Sequence, residues 1–219
     1  MKKIFTLALA LILALSMLTA CGGDSNDNGG GNNAGGAFEF GQDYINNNLK
    51  GDYWIIYNVT TYGDGETDSV TMEQIQTADG YYWSTDGDDG TLFIKNGDSY
   101  DVYVKSDDVY ENTGATYTKD MVDLMMYSIN MYMTTYAAYG DSLKKTGSET
   151  IAGRNCEKYA FDFTYPVYNY KFKYTYCIDK ETGVCLKFNM TVEGAGEKMG
   201  YEFECAKFQT SGVSLPDYK

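Results

Sequence analysis

The side chains in this chain that could do chemistry are thiols and carboxylates. There are 5 Cys and 31 Asp+Glu, against no histidine and 17 Lys+Arg, of which Arg154 is the one arginine. Without histidine there is no Ser-His-Asp triad, no His-activated cysteine and no His-ligated zinc or haem. Cys156, Cys177, Cys185 and Cys205 show no C-x2-C spacing, so neither a thiol-redox motif nor a zinc knuckle is written here. Asp86, Asp88 and Asp89 offer carboxylates to a calcium ion, but an EF-hand loop begun at Asp86 ends on Gly97, which has no ligand to give. They read as a solvated turn, as do Asp107 and Asp108. No Ser, Thr or Cys sits in a nucleophile motif, and no carboxylate pair stands out for glycoside chemistry. The expectation is a protein without catalysis, cofactor or metal.

The fifth cysteine has a different setting. Met1-Lys2-Lys3 is a short positive start, Ile4 to Leu18 is almost wholly apolar, and Leu18-Thr19-Ala20-Cys21 follows. A charged start, a short apolar run and small residues mark a secretory signal. A spanning helix needs about 20 apolar residues and would not end in a Gly/Asn/Asp tract. The tetrapeptide 18–21 resembles the lipobox of bacterial lipoproteins. That resemblance implies diacylglyceryl transfer to the Cys21 thiol, cleavage before it and acylation of the new N-terminus. Acyl chains contribute about 0.8 kcal/mol per buried CH2, so several chains anchor stably. The expected place is the outer face of the bacterial cytoplasmic membrane or another extracytoplasmic membrane.

Loss of Lys2 and Lys3 with the leader takes the formal charge from −14 to −16. Such a charge repels nucleic acid and anionic bilayers alike, so the anchor and not electrostatics holds the chain at a membrane. Gly22 to Gly36 carries no apolar side chain larger than Ala34 and reads as a tether. Three segments result: a leader over 1–20, the lipidated Cys21 with its tether over 21–36, and one folded domain over 37–219, expected to be monomeric.

Periodicity supplies the elements that must position any site. Tyr53, Ile55, Tyr57 and Val59 alternate with Trp54, Ile56 and Asn58, with both faces fairly apolar, as in a strand covered on both sides. Return strands follow at Ser69–Thr77, near Tyr81–Trp83, over Thr91–Lys95 and through Tyr100–Val104, giving four to five antiparallel strands over roughly 52–105. Asn96-Gly97 predicts a type I′ hairpin turn. Val122, Met125, Met126, Ile129, Met133 and Tyr136 then recur at helical spacing, with Thr118 as N-cap and Gly140 as stop. A shorter helix is expected within Phe38–Leu49. Strands resume near Thr146, and Tyr159–Phe163, Tyr168–Tyr176, Val184–Val192 and Met199–Phe203 alternate as a second meander. The fold class is α+β: an antiparallel meander sheet whose apolar face must be covered by the helix or curl on itself.

The order of lipobox, polar tether, short helix, meander, helix and second meander resembles the LolA/LolB-like half-barrel lipoproteins. Ile151-Ala152-Gly153-Arg154 before a strand, and Ile178-Asp179-Lys180-Glu181-Thr182-Gly183 before Leu186-Lys187, are similar to turns of such lipoproteins from Gram-positive anaerobes. The resemblance implies a curved sheet with the helices packed on its concave face over a hydrophobic cavity. In the family's carriers that cavity shields acyl chains in transit. An anchored chain departs from the soluble shuttle and fits an acceptor or sensor better.

Two groups of residues are therefore candidate sites. The helix face of Val122, Met125, Met126, Ile129, Met133 and Tyr136 is the candidate cavity lining, its methionines adaptable to varied apolar ligands. The four domain cysteines suit disulfides in an exported protein, with three pairings possible. A turn centred on Glu181 sets Cys177 across from Cys185, which is the first choice. A turn centred on Ala195 sets Cys185 across from Cys205, and one near Pro166 brings Cys156 close to Cys177. The leading function is a membrane-anchored, non-catalytic lipoprotein binding a lipid or other apolar group between sheet and helix. The alternative is a structural or interaction lipoprotein of the envelope with a filled core. An enzyme and a transporter's solute-binding protein rank lower.

Overall fold

The computed structural model describes residues 38–218 except 64, 88–89, 166–168 and 195; the side chains of 42, 127–129, 138 and 141 also lie outside the described set. The leader, Leu18, Thr19, Ala20, Cys21 and the tether fall outside it. No helix among the described residues is long and apolar enough to cross a membrane.

A short helix α1 (Gln42–Asn48) precedes six strands, β1 (Tyr53–Gly63), β2 (Glu66–Thr77), β3 (Gly80–Thr85), β4 (Thr91–Asn96), β5 (Ser99–Ser106) and β6 (Val109–Thr118). Helix α2 (Lys119–Thr134) and a 3-10 turn (Ala137–Ser142) follow, then β7 (Lys144–Ile151), β8 (Arg154–Tyr165), β9 (Tyr170–Asp179), β10 (Cys185–Gly194) and β11 (Glu197–Gln209). All eleven strands form one sheet in the order β6-β5-β4-β3-β2-β1-β11-β10-β9-β8-β7. The first meander runs outward from the middle and the second runs from the far edge back inward, so the first and last strands pair at the centre, Trp54 opposite Gln209 through Tyr62 opposite Gly200. The sheet is curved and unclosed, with β6 and β7 as its edges.

The chain must pass from one edge to the other between Thr118 and Lys144, and α2 makes that crossing. Val122 and Met126 pack on Phe93, Tyr100 and Val102 of β4 and β5. Tyr132 meets Tyr57 of β1 and Phe203 of β11, at centroid distances of 6.2 and 5.1 Å. Tyr136 reaches Tyr176 of β9 at 6.5 Å. Residues 122–136 span about 21 Å of helix, whereas strands β5 to β9 lie about 34 Å apart along a flat sheet. Curvature of the sheet resolves the mismatch.

The two faces of β1 go to two different cores, as its two-sided apolar pattern predicts. Tyr53, Ile55, Tyr57 and Val59 join the main core under the helices. On the opposite face Trp54 packs with Ile75, Tyr82, Leu92 and Tyr110, covered by Val213, Leu215 and Tyr218 of the C-terminal tail. A buried aromatic or aliphatic side chain contributes about 1.5–3 kcal/mol, and these rows supply most of the core.

Several local expectations change. Thr118 does cap α2, its hydroxyl accepting from the Met121 N–H at 3.4 Å. The helix ends at Thr134 and tightens into the 3-10 turn, so Gly140 is not its stop. Gly140 instead admits the Phe38 ring, whose Cδ1 would lie 2.9 Å from an added Cβ. The Asn96-Gly97 hairpin pairs Asn96 with Ser99, leaving Gly97 and Asp98 as the loop. Only Gly97 is left-handed there, at φ 64°, which suits a II′ turn and not I′. Strand β6 lacks a clear period because nine of its ten residues are not buried on either side of the Gly114 irregularity, and it carries no alternating signal. Asp107 and Asp108, at φ 48° and 67°, form the two-residue turn between β5 and β6.

Candidate functional site

Among the described residues, two spaces open beside α2. The larger, about 370 Å3, lies between α1, α2 and the start of β1 and end of β2, lined by Ile45, Leu49, Tyr53, Gln76, Met131 and Met133 with Asn46, Asn130 and Thr134. A buried polar side chain stands behind the lining residues Tyr53 and Asn130. Gln74, wholly buried, donates from Nε2 to the Tyr53 hydroxyl at 2.6 Å and to Asn130 Oδ1 at 3.3 Å, while its own Oε1 has no partner among the described residues. The smaller space, about 40 Å3, lies between the C-terminal half of α2 and β9–β11, walled by Met131, Tyr132, Tyr139, Tyr174, Tyr176, Phe188, Met190, Tyr201 and Phe203 with Thr135. Met131 borders both.

Strand alternation explains why the smaller space is aromatic. On β8 and β9 the pairs Tyr159–Tyr176, Phe161–Tyr174 and Phe163–Phe172 stand directly opposite one another on the helix-bearing face. Phe161 stacks on Tyr174 at 4.5 Å and Phe163 on Phe172 at 4.7 Å. The ladder runs from buried Tyr176 and Tyr174 outward to half-buried Phe161, Phe163 and Phe172. Burial raises the Tyr174, Tyr176 and Tyr201 phenols well above their ordinary range, so all three hydroxyls stay protonated.

The helices are seated by the turn between β9 and β10. Asp179, 1% exposed, accepts from the Thr182 N–H at 3.1 Å and the Thr182 hydroxyl at 2.6 Å. The Tyr44 hydroxyl of α1 donates to the Lys180 carbonyl at 2.8 Å, and Tyr136 donates to the Gly183 carbonyl. Gly183, at φ 78°, lies so close to α1 that an added Cβ would stand 2.7 Å from the Tyr44 ring.

The predicted lining residues take different places. Met133 borders the larger cleft. Val122 and Met126 are buried against β4 and β5, away from both spaces. Tyr136 is wholly buried against Phe38 and Tyr176. The Ile129 side chain is outside the described residues. Met125 corrects the expected stripe: it stands 43% exposed on the outer side of α2, with Met121 at 46% and Leu124 at 75%. Successive helical residues turn by about 100°, so Met126 and Met125 cannot both face the sheet squarely. Reading the helix alone missed Tyr132, and it missed the walls supplied by β9–β11, because nothing local says which strands lie under a helix.

All four domain cysteines are buried free thiols. The expected facing of Cys177 and Cys185 is corrected by the register of the β9–β10 hairpin: Cys185 stands opposite Ile178, and a one-residue irregularity just after it sets Cys177 opposite Lys187. Cys156 is opposite Asp179, and the β10–β11 register, with Lys187 opposite Glu204, does not set Cys185 across from Cys205, so none of the expected pairs is directly opposed. Burial pushes the Cys156, Cys177 and Cys205 thiols up to about 12 and Cys185 well above its usual value. No group of three or more Cys, Asp or Glu among the described residues is placed to hold a metal ion. The Asp86 carboxylate accepts from the Thr71 N–H at 2.7 Å and so pins a hairpin end, while Asp88 and Asp89 are outside the described residues.

No known protein family's sequence model and no curated protein matches the chain. Among solved structures it is similar to a LolA superfamily protein from Nitrosomonas europaea, at 10% identity and TM-score 0.29 over 81% of this chain and 96% of that one. It is similar to a putative outer membrane lipoprotein-sorting protein domain from Vibrio parahaemolyticus, at 11% identity and TM-score 0.28 over 83% and 95%. A DUF1329 family protein from Desulfovibrio piger aligns at 12% identity and TM-score 0.27 over 78% and 90%.

Proposed function

We propose that this chain is a membrane-anchored, non-catalytic exported lipoprotein that holds a lipid or another apolar ligand between its sheet and α2, with the helices on the concave side. The observation that carries the reading is the cleft of about 370 Å3 beside α2, continuous in its lining through Met131 with the aromatic pocket. Its size matches a small-ligand site. The walls combine methionines, which adapt to varied shapes, with tyrosines whose rings give apolar area. Leu18-Thr19-Ala20-Cys21 supplies the anchor and an extracytoplasmic location in this reading.

A second reading is a structural or interaction lipoprotein with a filled core. The small volume directly beneath the C-terminal half of α2, about 40 Å3, favours it. Binding decides between them. The whole sheet and core lie within residues 38–218, so a chain begun at Gly22 keeps every element. Expressed in its host envelope, purified without detergent and extracted with organic solvent, it is expected to release a lipid detectable by mass spectrometry. It is also expected to take up a fluorescent fatty acid ester. Neither result would leave the filled-core reading standing.

A further inference from the structure

The tyrosine pocket contains polar groups that its own protein does not satisfy. Tyr174 and Tyr176 are 3% and 0% exposed, and neither hydroxyl has a hydrogen-bond partner among the described residues. A third phenol, that of Tyr201 on β11, lies beside Tyr132 of α2. Buried polar groups are nearly always hydrogen-bonded, and each unmet one costs about 1–3 kcal/mol. Phenylalanine fills the same space at no such cost, and positions 161, 163 and 172 of the same ladder are phenylalanine. The hydroxyls are thus placed where packing alone does not need them.

Resting on the lipid-binding reading above, we propose that Tyr174 and Tyr176 form a polar subsite that donates hydrogen bonds to a neutral oxygen of the ligand, such as the carbonyl of an acyl ester. The charge argument selects a neutral group. Among the described residues, no Lys, Arg, Asp or Glu lines the pocket. A carboxylate there would be desolvated with no counter-charge, at a cost of several kcal/mol, whereas an ester carbonyl only accepts what the phenols offer. Access is through Met131, which borders both spaces and whose unbranched side chain re-orients readily. The ester lodges in the pocket while its chain lies in the wider cleft.

The test uses the chain begun at Gly22 and three probes: monooleoylglycerol, its alkyl-ether analogue without the carbonyl, and oleate. At pH 7 the ester is expected to bind about 3- to 10-fold more tightly than the ether, the span of one net hydrogen bond, and oleate more weakly than the ester. In the Tyr174→Phe/Tyr176→Phe double variant the ester–ether difference is expected to vanish with ether affinity retained. The urea midpoint of that variant is not expected to fall. The single variants provide the same comparison if the double variant does not fold. An ester preference that survives the substitutions, or no preference in the parent chain, overturns the subsite while leaving lipid binding intact. Tighter binding of oleate overturns the neutral-ligand selection. Failure of all three probes overturns the lipid-binding reading itself, and the subsite with it.

Discussion

Arg154 and Asp179 form a two-point ion pair that ties two distant turns together: Nη2 donates to Oδ2 at 2.7 Å and Nε to Oδ1 at 3.3 Å. Arg154 opens β8 after the Ile151–Arg154 turn, and Asp179 ends β9 before the turn that seats α1 and Tyr136. The chain's one arginine thus sits where a fork of donors matches a carboxylate held almost wholly out of water. Glu181, mostly exposed, adds a second contact to Arg154 at 2.9 Å.

Removing one partner leaves the other partly uncompensated. Asp179→Asn and Arg154→Leu are each expected to lower stability by about 3–5 kcal/mol, the range for a broken buried pair. Arg154→Lys recovers part of the loss, since a point charge cannot reproduce the fork. Urea denaturation of the three variants measures this; equal stability for Arg154→Leu and the parent contradicts it.

Gly183→Ala forces a methyl group towards the Tyr44 ring, 2.7 Å away, at a left-handed φ of 78°. The expected result is a loss of about 1–2 kcal/mol from backbone strain alone, with faster amide exchange in 42–48 as α1 loosens. Tyr44→Phe removes only the hydrogen bond to the Lys180 carbonyl and should cost about 0.5–1.5 kcal/mol.

Ala152 occupies φ 48°, a region that an L side chain enters at about 1–2 kcal/mol. Glycine has no such penalty but loses about 0.5–1 kcal/mol of chain entropy on folding. Ala152→Gly is therefore expected to stabilise by about 0.5–1 kcal/mol, read as a raised thermal midpoint.

Alkali should unfold this protein. Burial raises the thiols of Cys156, Cys177 and Cys205 from 9.0 to about 12. Above pH 9 the unfolded chain gives up these protons while the folded chain keeps them, so stability falls from about pH 9 to pH 12. Below pH 9 both states hold the protons and these groups add no slope. The buried phenols, raised by desolvation from 10.0, extend the loss to higher pH. Thermal midpoints at pH 7, 9, 10 and 11 test the slope. At pH 7, the native thiols should resist alkylation, and four should react after denaturation of the chain begun at Gly22.

Cys21→Ser is expected to abolish acyl labelling and shift the protein out of the mature membrane-anchored form. Metabolic labelling with a radiolabelled fatty acid, followed by gel mobility, reads this directly. Continued labelling of the variant contradicts the assignment of Cys21.

Much of the scaffold was legible in the order of residues. Tyr53 to Val59 and Tyr170 to Tyr176 alternate because a half-buried strand sorts its side chains by parity, and Thr118 announces α2 because an orphan N–H needs an acceptor. The candidate site was legible only in part. Met133 belongs to a stripe that any helical projection reveals, whereas Tyr174, Tyr176 and Tyr201 become a pocket only when β9, β10 and β11 pass under α2.

By itself the sequence determined the periodicities, most turn positions, the helix start and the exclusion of histidine chemistry, all of which depend on neighbours a few positions away. Only the tertiary structure decided the pairing of β1 with β11, whose partners Trp54 and Gln209 are separated by almost the entire domain. It also decided the registers of β8–β9, β9–β10 and β10–β11, which leave the cysteines out of opposition. The physical reason is that a strand's parity is local, but its register is set by long-range pairing, and a single extra residue turns side chains to the other face.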